Sequence, residues 1–453
     1  MIRHRGILLL VIGLAFNAHA ELNLPTTIHE NTKQTGYATT QLATAPHLEG
    51  VKPSQTTTET PVHFTVHELS QIKHLTLSHR LAPQDLSNKY ATHPLAIALG
   101  KVLFFDTRLS SDHQVACATC HNPKQGWSTP DPRISLRGVT LKRHTPSLWN
   151  TGYQRWQFWD GRADSLWLQA IESMENEAEM KGDRVHAVRL ILADANLQTS
   201  YRSIFGELPP TLSLTALPLR AKPRPKQEGI TVTDETIHQA WEQLPATVRQ
   251  DINQVTTHLM KSIAAFEMTI TSPPTRVDQF IDQLIVDQGQ ITTNNSWLNS
   301  EEQQGLKLFV SKAQCIQCHS GSNFSDGEFH RIFFDKSPDW GRAIGISSLL
   351  SNPFNGNSVY ADQHPLPNRL ELLNAVSTIP FRAAFKTPSL RNLSTSAPYM
   401  HDGRFASLDE VIKHYNEIQP RGHHAEAVLK PLGLTPQEQE YLVQFLQVLS
   451  SQL

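Results

Sequence analysis

The chain has 453 residues and a formal charge of −2, with 40 Lys and Arg against 42 Asp and Glu. This balance argues against a nucleic-acid-binding protein, because binding to phosphates requires concentrated basic residues. The length is sufficient for two or three domains.

Residues 1–20 combine two arginines, an apolar run over 7–16 and a small-residue ending. This pattern predicts a secretory signal cleaved before Glu21, with a retained anchor as the alternative. The apolar run is too short to span a membrane comfortably, and no later stretch is apolar enough. Removal of the signal leaves 38 basic and 42 acidic residues, a charge of −4. We expect an exported protein, periplasmic in a Gram-negative host, without a membrane span in the mature chain.

Residues 21–82 are rich in Thr, His, Gln and Pro and contain few large apolar side chains. A segment of this composition cannot bury enough apolar surface to fold by itself. We therefore expect an extended or disordered N-terminal arm, followed by ordered structure from Pro83.

Two short motifs contain all four cysteines of the chain. Each has the pattern Cys-x-x-Cys-His, which attaches a c-type haem covalently. Two thiols one helical turn apart can add to the two vinyl groups, and the adjacent histidine can then ligate the iron. The expected thioether residues are Cys117, Cys120, Cys315 and Cys318, and the expected iron ligands are His121 and His319.

Two other sites could use paired cysteines. A thioredoxin-like redox pair does not require the histidine in both copies. A zinc site would need all four cysteines to converge and would leave both histidines unexplained. Two covalently bound c-type haems are the interpretation that uses every cysteine.

Little of the sequence alternates with period two, and helical periodicity dominates, so we predict a mainly α fold. The helix ending in LGKVLFF before the first motif is similar to the one ending in GLKLFV before the second. This weak repeat predicts two cytochrome c-like haem domains, residues 83–297 and 298–453. Within the first, the Pro-rich segment 208–229 is predicted to be a loop insertion, since prolines prevent a continuous helix.

The order of the motifs resembles the bacterial di-haem cytochrome c peroxidase family, which includes the MauG-like branch. The segments are LGKVLFFDTRLSSD, CATCHNP, RHTPSLWN, QFWDGRADSLWLQA, CIQCHSG, FKTPSLRN, APYMHDGRF and LDEVIKHYN. The resemblance covers residues 83–450, apart from the Pro-rich insertion. It implies a first haem that reacts with hydrogen peroxide and a second haem that exchanges electrons with it.

The resemblance assigns three further residues. It implies that Trp159 bridges the haems, although a core tryptophan is the alternative. It implies that Gln169 and Glu179 assist cleavage of the peroxide O–O bond, in which a carboxylate moves a proton and an amide steers it. For Glu179, a solvated acidic surface is the alternative. The family histidine that closes the resting first haem has no counterpart between His121 and His144, which implies an open site.

Tyr415 lies on a predicted helix beginning at Leu408, where apolar residues recur at i, i+3, i+4 and i+7. The phenol therefore points inward, and by itself this pattern favours a buried core tyrosine. The resemblance implies instead that Tyr415 is the axial ligand of the second haem, where peroxidases of the family carry methionine. Met400 is the rival ligand.

The same resemblance implies an inter-haem calcium, but His144 replaces an asparagine ligand and calcium prefers oxygen. Calcium is therefore left open. The predicted activity is MauG-like: hydrogen peroxide produces high-valent haem iron, which oxidises an external reductant, most plausibly tryptophan residues of a partner protein. One alternative is a peroxidase that takes electrons from a small cytochrome c or cupredoxin. Another is a non-enzymatic di-haem electron carrier.

Overall fold

The computed structural model describes residues 62–78, 80, 82–136, 138–224, 234–288, 296–332, 339–363, 369–375, 377–418 and 429–451. All of them belong to one unit, residues 54–453. The expected signal segment and residues 21–61 of the arm lie outside the described residues. The described end of the arm is not uniformly extended, since it contains helix α1, Val66–Ile72, which begins with a capping box between Thr65 and Glu68.

The described residues are mainly α-helical, as the sequence predicts. The other helices are α2 (Pro94–Phe105), α3 (Cys117–Cys120), α4 (Leu166–Glu175), α5 (Arg184–Ala193), α6 (Ala195–Phe205), α7 (Glu235–Gln243), α8 (Ala246–Glu267), α9 (Arg276–Val286), α10 (Ser300–Val310), α11 (Arg342–Ser351), α12 (Arg369–Asn374), α13 (Leu408–Glu417) and α14 (Pro436–Gln447). Short 3-10 turns cover Thr107–Leu109, Pro123–Gln125, Thr151–Tyr153, Cys315–Gln317, Ile379–Phe381 and Leu393–Thr395.

Strands are limited to two short antiparallel pairs within the described ranges. Strand β1 (Ser135–Leu136) pairs with β2 (Val139–Thr140). Strand β3 (Phe329–His330) pairs with β4 (Phe385–Lys386), which joins the segment after the second Cys-x-x-Cys-His motif to the FKTPSLRN segment. The sheet content is therefore local, and helix packing builds the cores.

The apolar side chains form two cores. The first contains side chains of α2, α4, α5, α6 and α8. The second contains side chains of α1, α9, α10, α13 and α14. Each core lies beside one Cys-x-x-Cys-His motif, since Cys117 packs against the first and Cys315 against the second. Two haem domains of related construction follow from this arrangement.

The repeat seen in the sequence has a structural basis in one glycine per core. A Cβ on Gly100 of α2 would lie 1.8 Å from the carbonyl oxygen of Ser262 in α8. A Cβ on Gly305 of α10 would lie 2.1 Å from the carbonyl oxygen of Tyr441 in α14. Real Cβ contacts are never this short, so in both cores only glycine permits the helix before the haem motif to pack this closely.

The cores do not divide at residue 297. Helix α9 lies before that residue in sequence, yet its apolar face belongs to the second core. Conversely, Leu349, Phe354 and Leu370 come after it and belong to the first core. The described part of the Pro-rich insertion, 208–224, contains no helix, and it contributes Leu212, Leu217 and Ala221 to the first core. Among the described residues, no helix has the length and apolar character to cross a membrane.

Candidate functional site

The two Cys-x-x-Cys-His motifs fold in the same way. In each, the backbone N–H of the histidine donates to the carbonyl of the first cysteine, at 2.9 Å for both His121 and His319. Each imidazole then meets a backbone carbonyl through Nδ1: Trp127 at 3.2 Å for the first and Phe324 at 2.9 Å for the second. A hydrogen bond at Nδ1 orients the ring and leaves Nε2 for a metal.

The environment of both motifs suits a haem. Burial lowers the pKa of His121 to about 4 and also lowers that of His319, so each imidazole is neutral, the form that binds iron. All four cysteines are free of disulfides and only partly exposed. The residues that would hold the two haems are therefore correctly paired: two thiols and one neutral imidazole at each site.

A cavity of about 400 Å³ lies beside the second motif. Cys315, Cys318 and His319 form part of its wall, with apolar side chains from α10, α13 and α14. A largely apolar, partly enclosed cavity of this kind suits a porphyrin, which supplies apolar surface of its own.

Tyr415 and Met400 both line this cavity. Helix α13 begins at Leu408 after a capping box between Ser407 and Glu410. Its stripe of Leu408, Val411, Ile412 and Tyr415 faces the cavity, as the periodicity predicts. Burial is the main reason that the pKa of Tyr415 is raised, and the nearby thiols Cys315 and Cys318 add to the effect. The phenol is therefore close to the haem-attachment residues.

The expected peroxide-assisting residues lie on and after α4 in the first half of the chain. Gln169 donates from Nε2 to the Ser173 hydroxyl at 2.9 Å. Ser173 is also a hydrogen-bond partner of the Glu179 carboxylate. Asn176 Nδ2 donates to Glu179 Oε1 at 2.7 Å. Ser173 therefore joins Gln169 to Glu179 in one polar network.

Glu179 lies near the first haem-attachment site. Its charge contributes to raising the pKa of the Cys117 and Cys120 thiols, although burial is the larger cause for both. Burial also raises the pKa of Glu179 itself, an effect partly offset by the charge of Arg162 and by hydrogen bonds from Ser173 and Asn176. A buried carboxyl with a raised pKa beside the attachment site has the properties of a proton carrier.

The FWDGR segment is a turn that reaches both sites. Trp159 lines the cavity at the second haem motif, and its indole Nε1 donates to the His144 carbonyl at 2.8 Å. Arg162, three residues later, pairs with Glu172 at 3.0 Å and acts electrostatically on Glu179 near the first motif. One tight turn therefore contacts the surroundings of both motifs.

Several polar residues near these sites were not found by sequence reasoning. Ser173 lies one helical turn after Gln169, so helical periodicity could have found it. Arg143 pairs with Asp160 at 2.6 Å, next to Trp159. Lys386 is buried beside the same turn, donates to Gln154 and to the Trp156 carbonyl, and has a pKa lowered by burial to about 7. For Arg143 and Lys386 no local pattern gave a signal.

The position expected for calcium is not well suited to it. His144 is buried, and its Nε2 lies 2.9 Å from the Thr129 carbonyl. Its backbone N–H donates to the His401 carbonyl at 2.8 Å. The His144 side chain is already hydrogen-bonded and supplies no oxygen ligand, so this position does not fit a calcium ion.

Asp326 and His330 form a pair at 2.8 Å, and with Cys318 their ligand atoms lie within 4.8 Å of one another. Cys318 is required for haem attachment, which leaves only two ligands. This group is therefore better described as a hydrogen-bonded pair beside the second haem site than as a metal centre.

Comparison with known proteins agrees with this arrangement. Residues 94–284 match the model of the family described as di-haem cytochrome c peroxidase. The methylamine utilization protein MauG of Methylorubrum extorquens is 30% identical over 364 residues, 79% of each chain. Cytochrome-c peroxidase IdrP2 of Denitromonas iodatirespirans is 28% identical, over 82% of this chain and 85% of that protein.

A solved structure has the same fold. The diheme peroxidase BthA from Burkholderia thailandensis superposes with a TM-score of 0.56 at 20% identity, over 79% of this chain and 86% of that one. This likeness concerns the fold. The family match and the relatives above account for two covalently bound c-type haems and a peroxide-dependent oxidoreductase activity. The chain belongs to the di-haem cytochrome c peroxidase family, in which MauG and the cytochrome c peroxidases are its relatives.

Proposed function

We propose that this protein is a periplasmic enzyme of MauG type, which uses hydrogen peroxide to oxidise tryptophan residues of a partner protein. The observation that carries this proposal is the phenol of Tyr415, which lies in the cavity beside His319 and close to Cys315 and Cys318. Family membership supports the coarser activity, peroxide-dependent oxidation by a di-haem enzyme. The identity of the reductant, tryptophan residues of a partner protein, is our proposal.

The residues near the first haem motif are suited to handle protons. Reduction of hydrogen peroxide to two waters consumes two electrons and two protons, and the haems supply the redox chemistry when bound. Glu179, with its raised pKa, can hold a proton and deliver it to the departing oxygen. Gln169, held by Ser173, can orient the peroxide, and the same hydroxyl keeps the amide and the carboxyl together.

The two candidate ligands at the second haem predict different chemistry. A thioether favours ferrous iron and a high potential, which suits a relay that accepts electrons. A phenolate carries negative charge and favours ferric iron. Burial raises the pKa of Tyr415, so the phenol ionises here only if a cation compensates, and ferric iron is such a cation. As a ligand, Tyr415 would therefore suit a second haem that shares an oxidising equivalent better than one that stores an electron.

The Trp159 turn supports communication between the two haem sites. Trp159 lines the second cavity while Arg162 acts on Glu179 at the first. An indole in this position is oxidisable and large, which suits a bridge for electrons. In other members of the family, a loop histidine closes the first haem. In this chain Leu136 stands at that position, and its side chain packs against the first core. We propose that this loop would supply no ligand to the first haem.

The alternative enzyme is a cytochrome c peroxidase fed by a small cytochrome or cupredoxin. Met400 favours it, because this thioether lines the same cavity. A non-enzymatic carrier is a weaker alternative, since it gives no role to the partly buried network of Gln169, Ser173 and Glu179.

One experiment separates these functions. Fully ferric protein carrying both haems receives one equivalent of peroxide without a reductant, and near-infrared and electron paramagnetic resonance spectra are recorded. We expect a new near-infrared band and loss of both ferric signals. If no reaction occurs until one haem has been reduced, the protein is a peroxidase with a conventional relay haem. A candidate partner protein then tests the substrate, since tryptophan oxidation is visible by mass spectrometry.

A further inference from the structure

We propose that Trp340 is the surface residue at which electrons from a protein reductant enter this enzyme on their way to Trp159. The inference rests on the proposed function and extends it, because it names the contact point of the partner. It concerns a segment that the haem-binding motifs do not include.

Trp340 is one of two exposed tryptophans. All eight tryptophans of the chain are described by the structure, and 47% of the surface of Trp340 and 39% of that of Trp297 are exposed. The other six are buried or partly buried. An indole is the most readily stacked and among the most oxidisable of side chains, so an exposed one is a natural contact for a redox partner.

Arg143 ties the neighbourhood of Trp340 to the neighbourhood of Trp159. Its guanidinium pairs with Asp339 at 2.8 Å and with Asp160 at 2.6 Å. Asp339 immediately precedes Trp340, and Asp160 immediately follows Trp159. All three charged side chains have limited exposure. Burial acts to raise the pKa of Asp160 and of Asp339, but both are lowered: by Arg162 and then Arg143 for Asp160, and mainly by Arg143 for Asp339. This pair of ionic contacts is therefore a firm link rather than a mobile surface bridge.

Two further contacts fix the same geometry. Arg342, two residues after Trp340, is fully buried and donates to the carbonyls of Asp160 at 3.2 Å and Gly161 at 2.6 Å. A Cβ on Gly345 would lie 2.1 Å from the Asp160 carbonyl oxygen, so α11 begins in direct contact with the Trp159 turn. An exposed tryptophan on a backbone held this tightly is preorganised and does not need to order on binding.

A short backbone route connects the two tryptophans. The Trp340 carbonyl accepts from the Ala383 N–H at 3.1 Å, and the Trp159 carbonyl accepts from the Lys386 N–H at 2.8 Å. Ala383 and Lys386 are three residues apart, at most about 11 Å of extended chain. Gly341, at φ +54°, lets this strand approach, because a Cβ there would lie 2.3 Å from the Ala384 carbonyl oxygen.

The electron balance is simple. Each peroxide takes up two electrons and two protons and becomes two waters. In each of two steps, the Trp340 indole gives one electron inward to Trp159 and regains one from the partner, whose oxidised group loses its proton to water. Trp340 itself is unchanged after the cycle.

The surface around Trp340 indicates the class of partner. The Arg382 guanidinium lies 4.2 Å from the centre of the Trp340 ring and is exposed. Ile344 and Ile379 are also exposed nearby in the chain, at 39% and 59%. In the part of this segment that the structure describes, an exposed indole with an exposed guanidinium against its ring fits a protein that presents its oxidisable group beside an acidic side chain.

The first test detects electron loss at Trp340 without a partner. The holoprotein is treated with excess hydrogen peroxide and no reductant, digested and mapped by mass spectrometry. We expect mass gains of one or two oxygen atoms at Trp340, with water supplying each oxygen and one hydrogen peroxide per oxygen added accepting two electrons and two protons to become two waters. Oxidation there should fall at least fivefold in Trp159→Phe, whereas Trp297 should change little. Equal oxidation of both exposed tryptophans, or none at Trp340, would overturn the inference.

The second test uses reduced azurin as a protein reductant and ascorbate as a small one. We expect Trp340→Phe to slow peroxide-dependent azurin oxidation at least tenfold and ascorbate oxidation less than twofold, with Trp297→Phe as the matched control. If Trp340→Phe oxidises azurin as fast as the parent, the inference fails while the proposed function stands. If the parent itself shows no peroxide-driven spectral change, both fail.

Discussion

Tyr415 of α13 and Met400 of the preceding loop line one cavity beside His319. One offers a phenol and the other a thioether, the two ligands that we weigh for the second haem. The phenol of Tyr415 lies near Cys315 and Cys318, whose thiols contribute to its raised pKa after burial, the larger cause. This relationship makes a direct comparison of the two residues possible.

We expect Tyr415→Met to raise the reduction potential of the second haem and to abolish the near-infrared band formed with peroxide. Axial ligands span roughly 0.8 V in haem proteins, and a thioether lies towards the high end. Met400→Leu is the matched control and should leave both properties unchanged. Spectroelectrochemistry and near-infrared spectroscopy measure them, and the reverse pattern would identify Met400 as the ligand.

Glu179→Gln should slow peroxide consumption by about 10² to 10⁴, the range for loss of a positioned proton-transfer group. Glu177→Gln, in the same acidic segment, is the control, since the Glu177 carboxylate pairs with Lys222 instead. Stopped-flow absorbance gives the rates. Because burial raises the pKa of Glu179, the parent should keep its protonated carboxyl to higher pH than an exposed glutamate would. Equal rates for the two variants would remove Glu179 from the mechanism.

Ser173→Ala should weaken the peroxide reaction without changing haem content, because it separates Gln169 from Glu179. We expect about a tenfold loss, smaller than for Glu179→Gln, since the proton carrier itself remains. Ser173→Thr retains the hydroxyl and should recover most of the rate. A failure of threonine to restore activity would show that packing, not the hydroxyl, matters at this position.

Glu267→Gln should make thermal stability less dependent on pH. Burial raises the pKa of Glu267 from 4.5 to about 8, so the folded protein holds this proton more tightly than the unfolded chain. The stabilising contribution of the protonated carboxyl is complete below about pH 4.5 and is lost as pH rises towards about 8. Over that window the free energy of unfolding of the parent should fall by up to about 1.4 kcal/mol per pH unit more than that of the variant. Calorimetry from pH 5 to 8 measures the difference. Glu242→Gln, at the surface, is the control and should show the same pH dependence as the parent. If the stability of Glu267→Gln varies with pH in parallel with the parent, the raised pKa of Glu267 is refuted.

Asp278→Asn should destabilise the second core by about 3–5 kcal/mol, because Arg391 would remain buried without its counterion. The two side chains are fully buried and 2.8 Å apart, and Asp278 also caps α9. Glu438→Gln removes the exposed bridge to Lys312 and should cost about 1 kcal/mol or less. Denaturant unfolding compares the two, and similar losses would mean that the buried pair contributes little.

Much of the candidate site could be predicted from local sequence. The Cys-x-x-Cys-His spacing brings two thiols and an imidazole together within one helical turn, so haem attachment can be predicted without the tertiary structure. The inward face of Tyr415 follows from the 3.6-residue period of a helix whose start is marked by Ser407 and Glu410. The network around Ser173 was missed, although the i, i+4 spacing of Gln169 and Ser173 on one helix could have indicated their contact.

The division of the cores could not be predicted. Helix α9 precedes the expected boundary, but its apolar stripe packs against the second core. The sequence shows which face of a helix is apolar. Which of the two cores buries that face depends on the course of the connecting segments. The sequence of residues 287–299 and 352–368 carries no periodicity that could have revealed that course.

By itself the sequence determined the helical class, the two haem attachments and the inward orientation of Tyr415, because each depends on residues a few positions apart. Only the tertiary structure decided that Tyr415 and Met400 share a cavity, that Arg143 bridges Asp160 and Asp339, and that Trp340 is held against the Trp159 turn. These contacts join residues far apart in the chain. They arise from close packing of helices and loops, which local periodicity does not encode.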